Sequence, residues 1–400
     1  MQMFSRIKEL SGIKGYPLFA VILFAMGTGV SITMPYLSLY CTQVIGLSTS
    51  QFGLLMALNS IASVLISMTI AKYSDHSLER KWIIVVAMIG MATAFQVYLH
   101  VHTYWLLLLI IPLITGMGSP GVPQMYAYVH ESADESRIPN KTFAISTLRS
   151  MISLGVLFGP LLGSVLLVKL GYSSMFVTTS AVFAMNMVLI VLFLQRRPPK
   201  PRAPHDKPKS NLAWLKQKRM VWPFVAFVCL FLVNVYNGTI VPLFIVHKLH
   251  GNSHDIGLIF SLCAGLEIPL MMWMGSLAKR IPNHTLIMVG ALMSLLYFTI
   301  LLLSTAPWQI VAAQILQATY VAIVMGNGLS YFTHIMPESP GLATTIYSNS
   351  TVIGSLIGNL SGGVVAQYFG YRSVFAIGLG VVVLAFLFLW QSREKAYGRA

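Results

Sequence analysis

GVLFGPLLGSVLLVKLGYSSMF (155–176) and GSLIGNLSGGVVAQYFGYRSVF (354–375) are one passage written twice. Each sets three glycines at every fourth position, then a Gly-Tyr pair, then an apolar run. Small residues four apart make a strip along one helix face, onto which a second helix backbone settles closely. Two further pairs keep nearly the same offset: FGLL (52–55) with IGLI (256–259), and Trp105 with Trp308. The chain therefore reads as two copies of one architecture.

The solvent of that architecture follows from composition. Over 400 residues, 56% are hydrophobic and 9% charged, with a mean hydropathy of +0.74. Soluble domains carry roughly a quarter charged residues, so this chain would leave too much apolar surface in water. A helix needs about 20 apolar residues to cross the hydrocarbon core. Twelve runs qualify, over 16–40, 51–71, 82–101, 104–128, 142–167, 173–194, 220–246, 255–277, 284–304, 307–332, 342–367 and 372–391. The fold class expected is an all-α membrane protein of twelve spans. It divides into an N-terminal six-helix bundle (1–194), a linker (195–219) and a C-terminal six-helix bundle (220–400). The linker is rich in Pro and Lys, which favours an extended tether. Pro35, Pro112, Pro120, Pro123, Pro242 and Pro269 are expected to mark bends.

The net charge of +15 reflects orientation and needs no nucleic-acid partner. If the N-terminus is cytoplasmic, 22 of the 26 basic residues fall in cytoplasmic segments and only Lys169, Lys248 and Arg372 fall outside. The positive-inside rule then places both termini and the linker in the cytoplasm. Trp105, Trp222, Trp308 and Trp390 lie near span ends, as interfacial indoles do. Cys41, Cys229 and Cys263 show no metal spacing and read as packing thiols. The histidines near the external ends, among them His247, His250 and His254, have no accompanying carboxylate pair, so no metal site is expected. No P-loop, GxSxG or HExxH pattern is present. An enzyme is not expected, nor is any cofactor beyond a proton gradient.

Several motifs then resemble one superfamily. Two six-helix bundles related by an axis normal to the membrane are the plan of the major facilitator superfamily. AKYSDHSLERK (71–81) is similar to its signature G-x-L-x-D-R-x-G-R-[RK], with Asp75 and Arg80 in matching places and Lys81 just beyond. It departs at Ala71, Tyr73, His76, Leu78 and Glu79, and its second-half copy GSLAKR (275–280) carries Lys279 where the acid belongs. The resemblance implies a cytoplasmic gate at Asp75, Arg80 and Lys81. GVLFGPLLGS (155–164) looks like the exporters' G-x-x-x-G-P-x-x-G, so Gly155, Gly159, Pro160 and Gly163 are expected to serve helix packing.

PYLSLY (35–40), PQMYAYVHESAD (123–134), TLRSMISLG (147–155), AGLEIPLMM (264–272) and PGLATTIYSNS (340–350) resemble the bacterial sugar efflux transporter family. That resemblance implies proton antiport of small sugars or glycosides out through a bacterial inner membrane, by a chain expected to be monomeric. A drug/proton antiporter is the runner-up reading, and a non-transporting membrane sensor a more distant one.

Charges at membrane depth nominate the moving parts. Arg149 lies about two turns into span 5, and Glu267 is the one acid near the middle of a span. An ionisable group at bilayer centre costs about 3 kcal/mol, so it pairs, titrates or faces a cavity. In the superfamily plan spans 5 and 8 face each other, which makes Glu267 the expected proton-coupling carboxylate and Arg149 its partner in one state. Spans 1, 4, 7 and 10 line the superfamily's cavity. Asn234 with Asn237, and Gln314 with Gln317, each stand three apart and share a helix face. Amides that both donate and accept suit a sugar's hydroxyls. Tyr36, Tyr236 and Trp273 offer rings for a pyranose face. Gln124, nearer the cytoplasm, completes the substrate-binding set or serves the gate.

Overall fold

A computed structural model describes residues 13, 15–74, 79–136, 141–196, 218–278, 280–337 and 339–393. Among them every regular element is a helix. The helices are α1 (Tyr16–Gln43), α2 (Thr49–Ser74), α3 (Arg80–His100), α4 (Tyr104–Gly118), α5 (Gly121–Glu135), α6 (Lys141–Phe193) and α7 (Lys218–Thr239). They continue as α8 (Val241–His247), α9 (Ser253–Leu277), α10 (Asn283–Leu303), α11 (Pro307–Ile335), α12 (Pro340–Phe369) and α13 (Tyr371–Arg393). Helix satisfies every backbone donor and acceptor within the segment, which a lipid solvent demands.

Eleven stretches among the described residues are long and apolar enough to cross a membrane. One of them, Thr147–Phe193, is 47 residues long and turns at Gly171, whose φ of 79° and ψ of 179° are not helical. It is therefore two spans, which gives the twelve. The second copy of the passage turns at Gly370 with φ 82° and ψ 167°. A side chain at either position would be forced into a backbone region open mainly to glycine.

Two of the spans are broken where the apolar runs looked continuous. The fourth interrupts at Ser119–Pro120 and then extends to Glu135, beyond the expected end at 128. The seventh interrupts at Ile240. Pro120 and Pro242 each lack the amide hydrogen that would carry the ladder through. Pro35, Pro112 and Pro269 instead lie inside continuous helices.

The chain forms two compact units: residues 1–34 with 59–203, and residues 35–58 with 204–400. In the first unit α3 packs on α4, α5 and α6. Gly155 and Gly159 of α6 lie so close to α1 that a Cβ would strike the carbonyl of Phe24 or the side chain of Ser31. Ser31 Oγ also donates to the Gly155 carbonyl at 3.2 Å. Pro160 and Gly163 are buried beside them. Phe95 stacks on Phe183 with ring centroids 6.0 Å apart.

In the second unit α7 packs on α12 and α13, while α11 takes α9, α10 and α12. Gly354 and Gly358 of α12 press on the Val228 and Leu232 backbone of α7, as Gly155 and Gly159 press on α1. An aromatic cluster forms round Phe227, whose ring lies 4.9 Å from Phe332 and 6.0 Å from Tyr347.

The tip of the α1–α2 hairpin belongs to this unit by its contacts. A Cβ on Gly53 would meet the Asn359 carbonyl, and one on Gly363 the Thr49 carbonyl. The Ser50 amide donates to Gln367 Oε1 at 3.1 Å.

Candidate functional site

The embedded carboxylate, Glu267, lies on α9, fourteen positions below its first residue and two before Pro269. Cys263 is one turn earlier on the same face, within electrostatic reach of the carboxylate. The Tyr297 hydroxyl on α10 lies within reach of that thiol in turn. Tyr297 is fully buried. Its hydroxyl donates to Asn237 Oδ1 at 2.6 Å and accepts from Gln314 Nε2 at 3.4 Å. Gln314 Nε2 also reaches the Ile310 carbonyl at 3.1 Å. One turn along, Gln317 Nε2 donates to Asn234 Oδ1 at 3.3 Å.

All four amides singled out from the sequence thus meet in one polar layer between α7 and α11. The spacing explains it: both pairs stand three apart, so each helix turns both members inward. Gln314 and Gln317 are at most 1% exposed, and the Oε1 of each finds no partner among the described residues. The sequence reading missed Tyr297, which ties the layer together. The available signal was a phenol inside the otherwise apolar run LLYFTILLL (295–303), because a buried Tyr hydroxyl usually finds a partner.

The aromatic candidates separate. The Tyr236 hydroxyl pairs with Ser361 Oγ at 2.8 Å, and the Tyr36 hydroxyl donates to the Ser253 carbonyl at 3.3 Å. Both rings are buried. Trp273 is 59% exposed and takes no part in the amide layer.

In the first unit, Arg80 opens α3 and reaches α5. Its Nε meets Glu131 Oε1 at 2.8 Å, and its Nη1 donates to Gln124 Oε1 at 2.7 Å. Gln124 is thereby held by the guanidinium. Lys81 is buried, and its Nζ donates to the carbonyls of Val191 at 2.9 Å and Leu194 at 2.6 Å. Those carbonyls end α6, where unpaired acceptors and the negative dipole end attract an ammonium. Asp75 lies outside the described residues. Arg149 sits exposed on α6, its guanidinium 6.0 Å from the Tyr126 ring centre. Glu131 and Tyr126 were not singled out as partners from the sequence, since neither is near its mate in the chain.

Among the described residues, no three His, Cys, Asp or Glu side chains gather as a metal would require.

Comparison with known proteins adds four findings. A family model described as Major Facilitator Superfamily matches residues 19–245 and 223–399. The chain is 29% identical over 379 residues to sugar efflux transporter A of Dickeya chrysanthemi, covering 94% of this chain and 95% of that protein. It is 25% identical over 389 residues to multidrug resistance protein MdtG of Salmonella arizonae, covering 93% of each. The crystal structure of nucleoside transporter NupG superposes with a TM-score of 0.78 at 15% identity, covering 94% of this chain and 98% of that one. That last likeness establishes the fold alone.

Proposed function

The chain belongs to the Major Facilitator Superfamily, and from that premise we propose that it exports small sugars or glycosides in exchange for protons. The observation that carries the reading is the near full-length likeness to a protein named sugar efflux transporter. The amide layer of Asn234, Asn237, Gln314 and Gln317 is the chemistry such a solute asks for. Hydroxyl groups both donate and accept, and a primary amide answers both.

Glu267 is the proton carrier in this scheme. A carboxylate held in an apolar span exchanges its charge for a proton when solvent leaves it and releases the proton when solvent or a cation returns. Arg149 is that cation in one state of the cycle. Proton and solute alternate, so each return of the carrier is loaded with one or the other. The excess of basic residues in the loops supports cytoplasmic termini in a bacterial inner membrane, and the proposed working unit is a monomer.

The likeness to MdtG keeps a drug/proton antiporter as the second reading. The two separate in inside-out membrane vesicles given an acid lumen. Labelled lactose, glucose and methyl glucoside should accumulate, and a cationic dye should not. Dye accumulation without sugar accumulation would decide for the second reading.

A further inference from the structure

Trp82, the third residue of α3, stands between two cations. The Arg196 guanidinium lies 5.3 Å from the centre of its ring, and Lys81 Nζ lies 6.0 Å from it. The two cations are differently occupied. Lys81 is buried and spends its donors on the carbonyls that end α6. Arg196 is exposed, and no carboxylate among the described residues pairs with it. A guanidinium held on the face of an indole keeps its edge donors free, in the fork that takes two oxygens of a phosphate.

The surroundings are apolar and equally exposed. Trp82, Val86 and Ile89 follow at i, i+4 and i+7, so they share one face of α3, and all three are exposed. Leu192 and Phe193, exposed as well, close α6 just ahead of Arg196. In a chain of membrane spans an exposed apolar face of this kind meets acyl chains. An indole at its end marks the interfacial level. Arg196 also begins the run of cations in 195–219, a stretch with nine basic residues and one acid, Asp206.

We propose that Trp82 and Arg196 form a binding site for an anionic phospholipid, phosphatidylglycerol, on the side of the membrane that carries the linker. The phosphate sits on the free edge of the Arg196 guanidinium, and an acyl chain lies along Trp82, Val86 and Ile89. Charge selects the headgroup. An anionic lipid brings only negative charge to this cluster of cations, whereas a zwitterionic one also brings an ammonium against the basic linker. Lys81, by holding the end of α6, fixes the point from which Arg196 departs, and so positions the site. The site belongs to the first unit and uses none of the amides nor Glu267. It therefore stands whether the transported solute is a sugar or a drug.

Purified, delipidated protein is titrated in detergent with short-chain phosphatidylglycerol or phosphatidylethanolamine, and the bound lipid is read by native mass spectrometry. The wild-type protein should bind phosphatidylglycerol about tenfold more tightly than phosphatidylethanolamine. Arg196→Ala should lower the phosphatidylglycerol affinity about tenfold, as losing one charge-assisted hydrogen bond would. Its affinity for phosphatidylethanolamine should not change, which reports an intact fold. Arg196→Lys keeps the charge without the fork and should lose about threefold. Trp82→Leu keeps an apolar side chain, removes the platform and should lose about fivefold. Arg280→Ala removes an exposed cation of the second unit and should leave both affinities as they are. Equal losses from Arg196→Ala and Arg280→Ala would show attraction to diffuse charge and overturn the site. Unchanged affinity in both Arg196→Ala and Trp82→Leu would overturn it as well, as would equal loss of both lipids in Arg196→Lys. Inorganic phosphate should not displace the lipid. Displacement at a comparable concentration would make the ligand a free phosphate and sink the lipid assignment.

Discussion

The interiors of the two units solve the problem of polar groups in lipid differently. In the first, charge is fixed at one end. Arg80 is tied to Glu131 and Gln124, and Lys81 caps α6. Deeper in, small hydroxyls are paired off, Thr33 with Thr179 at 2.6 Å and Ser180 with the Ala92 carbonyl at 2.9 Å. In the second unit no ion pair occurs among the described residues. An embedded acid, a phenol and four amides share the interior, with several oxygens still unpartnered. Among the described residues the first unit leaves two such atoms, Glu79 Oε2 and Asn186 Oδ1, and a more nearly paired interior has fewer arrangements within reach. An incompletely paired one has several within reach. The first unit thus reads as the more fixed of the two, and the second as the half to which the proposed proton coupling is assigned.

The largest effect should come from the second unit. Glu267→Gln removes the titrating group at nearly constant volume. It should abolish pH-gradient-driven sugar accumulation and leave lactose exchange intact. Gradient dependence unchanged in that variant would break the assignment of proton coupling to this half.

Next in size is a test of what the halves share. Gly155→Leu in the first unit and Gly354→Leu in the second both drive a side chain into a neighbouring backbone, an overpacking worth about 1–3 kcal/mol or more. Both should lower the melting temperature of the purified protein by similar amounts. A large loss in only one would show that the repeat is not structurally equivalent.

A smaller effect is expected at the ionic end. Arg80→Ala leaves Glu131 without its partner and should destabilise by about 1–3 kcal/mol. The pair is partly exposed, at 13% and 26%, which keeps the loss toward the low end. The double variant Arg80→Ala with Glu131→Ala should recover part of it in thermal unfolding, with the proton-to-sugar ratio unchanged. The smallest is a binding effect: Asn234→Leu or Gln317→Leu should raise the sugar KM about tenfold, as losing one or two hydrogen bonds to the solute would, with melting temperature little altered.

Much of this contrast was legible in the sequence, for physical reasons. Spans are read from runs long enough to cross the hydrocarbon, and the repeat marked the Gly-Tyr pairs at 171 and 370, although only the backbone angles show that the chain turns there. The four amides were found because helical spacing alone places each pair on one face. What lay beyond reach depends on which helices meet. Arg80 and Glu131 are 51 positions apart, and nothing local joins them. Lys81 looked like part of a gate motif, whereas its partners are the last carbonyls of α6, more than a hundred positions away. The grouping of 35–58 with the second unit likewise rests on close backbone approach at Gly53 and Gly363, a contact no hydropathy window reports. The breaks at Ser119–Pro120 and Ile240 were only half legible. A proline in an apolar run either bends a helix or ends it, and Pro35 and Pro120 differ in outcome though alike in sequence.

The most direct measurement uses the wild-type protein in inside-out vesicles with an acid lumen. Labelled lactose, glucose or methyl glucoside should accumulate in the lumen as protons leave it, and a protonophore should collapse that accumulation. Accumulation that survives the protonophore, or none for any of the three sugars, would contradict proton-driven sugar export.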